Sequence, residues 1–309
     1  MFTGAEYFSN QKTMKYTFFT LILLLVLAAC RPTEPQKADT FKVVFITDSH
    51  LQDELRAPEA FALAVDSINK LNPDLVLHGG DIIMDALAYD HERSLRQFAI
   101  YDSLKKFIQP PVYEVLGNHD IWAWYLSDTT LRNHPDYGKA MYERLLAPRY
   151  RTFTHKNWQF FMLDGLMLNE ENKYYGRIDD SQMAWVEDQL SGIDTLSPIA
   201  IVTHIPLMTV SGQLWNGPTA ANSPGIVVTN ADTLLKLFER HNLSLVLQGH
   251  LHILEEIRVN NTVFITGGAL SARWWRGPNG KLEEGFMLLE LCEHGLVDAK
   301  YIDYGWEAQ

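Results

Sequence analysis

FKVVFITDSH, residues 41–50, is an apolar, β-rich run that stops abruptly on Thr47, Asp48, Ser49 and His50. A short apolar run bounded by polar turn residues reads as a strand buried on both faces. The same arrangement recurs downstream. Residues 74–77 lead into His78-Gly79-Gly80-Asp81, 112–116 into Gly117-Asn118-His119-Asp120, 198–202 into Thr203-His204, and 244–247 into Gly249-His250-Leu251-His252. Between the first three runs, residues 58–71 place Phe61, Ala64, Val65 and Ile68 at a helical period, and residues 92–108 read as a second helix. Continuous apolar strands alternating with helices predict a sheet covered by helices.

The remainder departs from strict alternation. Residues 150–155 and 158–163 read as a hairpin around Lys156 and Asn157, and 180–190 as a short helix. Thr229 or Asn230 is placed to cap a helix running to His241. Strands at 253–259, 262–266, 285–291 and 296–302 follow one another without helices. The expected fold is therefore α/β: two packed mixed β-sheets flanked by helices, a four-layer sandwich. The stretch 206–228, rich in Gly, Pro, Ser and Asn, predicts a long loop without structure of its own, placed to act as a substrate lid.

Five apolar strands thus end in clusters of Asp, His or Asn. Ligands of α/β sheets bind beyond the carboxyl ends of the strands, so these clusters are expected to converge. Each alone is weak, since an Asp after a strand is often a turn residue. Together, Asp48, His50, Asp81, Asn118, His204, His250 and His252 supply oxygen and imidazole ligands without cysteine. Such a set suits Mn, Fe or Zn in a working site, not a structural thiolate zinc site. The number fits two divalent or trivalent ions sharing a carboxylate. Asn118 offers a neutral oxygen that adds no charge to repel phosphate. The formal net charge of −12 excludes a broad basic surface for nucleic acid, while leaving room for a cleft made locally positive by metal.

In this order, Asp48-x-His50, Gly80-Asp81, Gly117-Asn118-His119-Asp120, His204 and Gly249-His250-x-His252 resemble the calcineurin-like metallophosphoesterases, over residues 41–265. The resemblance implies that Asp48, His50 and His252 hold one metal, that Asp81 bridges, and that Asn118, His204 and His250 complete the second site. It makes His119 the histidine that contacts the phosphate or protonates the leaving oxygen, with Asp120 orienting it through a hydrogen bond. On that resemblance two cations would acidify a bridging water, and the resulting hydroxide would attack phosphorus in line with the leaving group. His50 in Asp-x-His argues against the purple acid phosphatase branch, which resembles Asp-x-Gly there, and favours the phosphodiesterase branch. A phosphomonoesterase, nucleotidase or pyrophosphatase on the same scaffold is the alternative, and a non-catalytic binding lipoprotein a third reading. Trp122, Trp124 and Tyr125 are candidates to stack on a base or sugar ring, or to form a local apolar cluster. Arg273, Trp274 and Arg276 are candidates to wall the pocket and meet the phosphate of a small phosphoester substrate.

The N-terminal region carries an address. Lys12 and Lys15 precede an apolar run, YTFFTLILLLVLAAC at 16–30, that is too short to span a bilayer comfortably and fits a secretory signal, with Met14 a possible start. Its end, LAAC at 27–30, resembles the lipobox of bacterial lipoproteins, the alternatives being an ordinary signal peptide or an uncleaved anchor. The expectation is a signal peptide at 1–30, a tether at 31–40 and one catalytic domain at 41–309. The protein would be exported and face the periplasm or cell envelope, touching the membrane only through lipid on Cys30. Cys292 would then have no disulfide partner.

Overall fold

A computed structural model describes residues 39–308, so the expected signal peptide, the lipobox-like segment at 27–30 and nearly all of the expected tether lie outside the described residues. Thirteen strands are seen among them. In chain order they are Thr40–Ile46 (β1), Leu75–His78 (β2), Val112–Glu114 (β3), Arg151–His155 (β4), Trp158–Met162 (β5), Leu166–Leu168 (β6) and Tyr174–Gly176 (β7). Pro198–Val202 (β8), Asn242–Gln248 (β9), Leu254–Val259 (β10), Thr262–Gly267 (β11), Gly285–Cys292 (β12) and Gly295–Asp303 (β13) complete the set. The helices are Ala57–Leu71 (α1), His91–Lys105 (α2), Ala140–Leu145 (α3), Asp180–Leu190 (α4), Ser211–Asn216 (α5) and Ala231–Leu237 (α6). No helix of the described residues is long and apolar enough to cross a membrane.

The strands form two mixed sheets, ordered β13-β12-β1-β2-β3 and β10-β11-β9-β8-β5-β4, with β6 and β7 a separate hairpin. The site-bearing strands run parallel: β1 with β2 and β2 with β3 in one sheet, β8 with β9 in the other. Their carboxyl ends are thereby gathered at one edge of each sheet. Alternation along the strands explains the layering. Phe41, Val43, Phe45, Leu75 and Leu77 join Phe160, Met162, Ala200, Val202, Leu245 and Leu247 in a single apolar cluster drawn from both sheets. Their neighbours Val44, Ile46, Val76, Phe161, Ile199, Ile201 and Val246 belong instead to the cluster that holds the helices. Trp158 fastens the layers further, its indole N–H donating to the Cys292 carbonyl at 2.8 Å. Cys292 is buried and has no disulfide partner among the described residues. This is the predicted four-layer α/β arrangement.

Helix ends follow local chemistry. Asp90 and Asp179 cap α2 and α4 by accepting from Arg93 N–H and Gln182 N–H. Asn230 does not cap α6. Its amide brackets Ile178, accepting from that N–H at 3.0 Å and donating to that carbonyl at 2.9 Å. The helix also closes at Leu237 rather than continuing to His241, because the last turns tighten to Leu235–Phe238 and Phe238–His241 bonds. The 206–228 stretch is not structureless: it contains α5, pinned by Asn222 and Gln213 side chains and by Glu255, which accepts from Val210 N–H.

Candidate metal centre

The β1–β2 ladder does not stop with the strands. Asp48 N–H donates to Gly80 O, His50 N–H to Asp81 O and Leu51 N–H to Ile82 O, so the two acidic turns run side by side. The second sheet is tied across to them. His250 N–H reaches both Asp48 oxygens at 3.1 and 3.0 Å, and His204 Nδ1–H donates to Gly79 O at 2.8 Å. Backbone must pass very close to both carboxylates, which accounts for two glycines in the motifs. A Cβ at Gly117 would collide with Asp81, and one at Gly249 with Thr47 Oγ1 and Asp48 Oδ2.

Of the seven candidate ligands, Asp48, His50, Asp81, His250 and His252 sit in the left-handed region, with φ of 53°, 42°, 51°, 73° and 52°. Non-glycine residues rarely adopt it, and clusters of such residues mark sites where geometry is imposed by the surroundings.

Two groups result. Asp48, His50 and His252 present ligand atoms within 4.8 Å of one another, as do Asp81, His204 and His250. In the first, His50 Nε2 and His252 Nε2 lie 3.0 Å apart, with Asp48 Oδ1 3.3 Å from His252 Nε2. In the second, His204 Nε2 is 3.2 Å from both Asp81 Oδ2 and Asn118 Oδ1. Asp81 stands between them: Oδ1 accepts from His119 N–H at 2.8 Å, and Oδ2 lies 3.7 Å from His50 Nε2. The structure thus brings all seven candidate ligands together.

The donor set fits cations. His204 and His252 spend Nδ1–H on the Gly79 and Ala272 carbonyls, which turns each Nε2 lone pair inward. Nε2 atoms, carboxylate oxygens and an amide oxygen then converge with no side-chain donor of their own beyond exchangeable imidazole protons. Electrostatics agrees. Burial, then His119, holds His50 well below the ordinary imidazole value, and burial with His204 sets His250 at about 4. Both are therefore neutral lone-pair donors at neutral pH. Burial would raise Asp48, but His252 overcomes it and holds the carboxyl at about 2. Against burial, Asp81 raises His204 to about 9 and Asp48 raises His252. Protons on these two imidazoles face the carboxylates where a bound cation would replace them.

His119 is partly exposed and borders both groups, its Nε2 3.9 Å from Asp81 Oδ2. The predicted role of Asp120 as its orienting partner is not what the structure places there. Asp120 Oδ1 accepts from Ile82 and Ile83 N–H at 2.9 and 3.1 Å, and Oδ2 from Gly117 N–H at 2.7 Å. Every contact is to backbone, because Asp120 closes the short 3₁₀ turn Asn118–Asp120 and folds its carboxylate under the Asp81 loop. The His119 ring is held instead by the Met84 carbonyl, 2.6 Å from Nδ1, with Asp85 Oδ1 3.7 Å away. His78 is a support. Burial keeps its pKa at about 3, and it lies between Ser49 Oγ and Gly80 N–H.

The substrate candidates divide. Trp122 is buried, donates to Tyr89 O at 3.2 Å and packs between His91 and His134, so it is core and unavailable to a ligand. Arg273 and Arg276 are exposed, and Arg273 Nη2 donates to the Arg276 carbonyl within their own loop. Trp274 does border the centre, its ring centroid 4.9 Å from His252. Residues not singled out from sequence also line this region: Asp85, Tyr174 beside His250, and Lys281 in a cleft of about 310 Å³ next to His252. Only Asp85, an acidic residue four positions beyond Asp81, carried any sequence signal.

A family model described as "Calcineurin-like phosphoesterase" matches residues 41–254. The chain is 24% identical over 257 residues, 79% of its length and 92% of the relative's, to a protein of Xenorhabdus bovienii described as a probable cyclic nucleotide phosphodiesterase. It is 29% identical over 130 residues, 42% of its length and 39% of the relative's, to an uncharacterized metallophosphoesterase of Bacillus subtilis. Among solved structures, a dimetal phosphatase from Danio rerio shares the fold with a TM-score of 0.56 at 17% identity, over 86% of this chain and 99% of that one.

Proposed function

The chain belongs to the calcineurin-like phosphoesterase family, and from that premise we propose that it is a phosphodiesterase working with two metal ions. The observation that carries the proposal is the pair of donor groups meeting at one carboxylate, Asp81. Asp48, His50 and His252 would hold one ion, Asn118, His204 and His250 the other, and Asp81 both. Bound there, such ions supply Lewis acidity toward phosphoryl oxygens and an activated water.

The protein's own groups do the rest. Deep burial of the donors keeps bulk water from the carboxylates, and the left-handed turns fix their direction before substrate arrives. The Met84 carbonyl takes His119 Nδ1–H, leaving Nε2 facing the site, where it donates a hydrogen bond to the phosphoryl group or a proton to the departing oxygen when the ring is protonated. Asp85 Oδ1 lies 3.7 Å from Nδ1 on the far side of that ring. The Asp-x-His turn and the likeness to a probable cyclic nucleotide phosphodiesterase support a diester over a monoester.

Reconstitution with Mn, metal analysis and rates on aryl phosphate diesters and monoesters test this. Metal-dependent diester turnover that Asp81→Asn reduces at least a thousandfold is expected. Faster monoester turnover would overturn the diester assignment, and no turnover with metal bound would overturn the enzyme. We also propose that the protein is a bacterial lipoprotein anchored through Cys30, on the strength of LAAC at 27–30 after the apolar run. Labelled fatty acid incorporated by the wild type and not by Cys30→Ser is the expected result, and equal labelling or none refutes it.

A further inference from the structure

The loop after β11 is fastened to the first acidic turn. Leu270 N–H donates to Thr47 O, Ser271 Oγ to Asp48 O, and the Ala272 carbonyl receives His252 Nδ1–H. Ala272, Trp274 and Trp275 all adopt left-handed backbone, with φ of 41°, 52° and 66°. Two consecutive tryptophans in that region are unfavourable, and the pair divides the work. Trp275 is buried, and its indole N–H donates to the His50 carbonyl at 3.0 Å. Trp274 is held up by that anchor at 36% exposure, its ring 4.9 Å from His252 and 6.1 Å from His50. Its indole N–H makes no hydrogen bond among the described residues. Backbone strain is thus spent on presenting one large ring to solvent beside the Asp48–His50–His252 group.

A second ring borders the other group. Tyr174, on β7, meets His250 edge-on at 6.0 Å, and Tyr125 lies nearly parallel to Tyr174, at 13° and 6.1 Å. Tyr125 is 43% exposed. These aromatic residues come from three distant parts of the sequence, and each exposed face is apolar surface that folding alone would cover. Cations are sparse by comparison. Among the described residues, Arg273 is turned to its own loop, and Lys281 is the cation that lines the cleft beside His252. A dianionic monoester would draw on more positive charge, whereas a diester carries one negative charge and two organic arms.

Resting on the phosphoester-hydrolase reading above, we propose that Trp274 and the Tyr125–Tyr174 pair are separate stacking platforms, one for each donor group, and that the substrate is a phosphodiester bearing a planar aromatic group on at least one arm. Hydrolysis forms a P–O bond to water as the P–O bond to one arm breaks. The departing oxygen takes a proton, and the other arm stays on the phosphate.

The test uses Mn-loaded protein and two diesters sharing a p-nitrophenolate leaving group, one with a phenyl and one with a methyl retained arm. Wild type should prefer the phenyl ester through KM. Trp274→Ala or Tyr125→Ala should shrink that preference about tenfold, the range of one aromatic stacking contact. Trp274→Phe should restore most of it. Diphenyl and dimethyl phosphate, as competitive inhibitors, give the same comparison without turnover. A preference unchanged in both Ala variants, or equal losses on phenyl and methyl compounds, overturns the platforms. Turnover of p-nitrophenyl phosphate with neither diester hydrolysed leaves the phosphoesterase standing and removes this inference. Wild type inert on every ester with metal bound removes the reading beneath it.

Discussion

Replacing Asp120 by Asn separates two roles that the motif alone cannot tell apart. In the structure its carboxylate accepts three buried N–H groups, those of Gly117, Ile82 and Ile83, and no imidazole. Burial and then the charge on Asp81 push its pKa up, while the N–H donors from Gly117 and Ile83 pull it down. Asn keeps an oxygen for Ile82 and Ile83 but turns an NH₂ toward Gly117 N–H. One buried donor is orphaned, at a cost of about 2 kcal/mol. For a domain of this size that lowers Tm by about 4–8 °C. Asp120→Ala orphans all three donors and costs about 3–6 kcal/mol. Asp120 ties the turn after Asp81 to the turn that carries Asn118, so metal affinity should also fall, by about tenfold to a hundredfold, as for other supports of metal ligands. Unfolding of metal-free protein, calorimetric metal titration and a pH–rate profile at saturating metal measure the three effects. A profile that keeps its shape in Asp120→Asn and loses a limb in His119→Asn is the expected pattern. Wild-type stability and metal affinity together with a displaced limb would show that Asp120 acts on His119 after all, and would refute the reasoning.

Other outcomes follow from the same kind of accounting. Asp164, buried, joins Lys139 at 2.6 Å and Arg149 at 2.8 Å; Arg149 keeps Asp179 at 2.6 Å, so Asp164→Ala takes the carboxylate from Lys139 and should cost about 3 kcal/mol in a urea titration. Asp136 is held at about 2 by hydrogen bonds from Arg144, with His91 adding to them. Its folded pKa lies below the ordinary value near 4, so its contribution is present above pH 4 and lost as pH falls toward 2. Asp136→Asn should lower stability at pH 6 and flatten that acid loss, as read by thermal melts across the range. Chelation of the loaded protein should abolish turnover and lower Tm, and both should return on adding Mn. Retained activity at full chelation would count against metal dependence.

Much of this architecture was legible in the residues because the strands are buried on both faces. Pro198–Val202 and Leu75–His78 are covered throughout, so apolar runs ending in Asp or His could hardly be anything else. The ligand set was legible for the same reason: strand ends fix position. What sequence could not give was partnership. Asp120 follows His119 directly, yet its carboxylate turns to backbone, and Trp122 follows the motif yet points into the core. Short elements were also hidden. The β6–β7 hairpin has three residues per strand and α5 has six, lengths at which tertiary contacts rather than propensity decide the structure. Tyr174 reaches the site on that hairpin, which is why no linear pattern announced it.

The left-handed turns under Asp48, His50, Asp81, His250 and His252 carry one last implication. Glycine at any one of them would relieve about 1 kcal/mol of backbone strain while deleting a candidate ligand. That relief is outweighed where the side chain also ties down backbone: losing Asp48 would orphan His250 N–H, losing Asp81 that of His119, and losing His252 would free the Ala272 carbonyl. Candidate ligands and structural ties are here the same side chains, so a change that emptied the centre would loosen its loops as well.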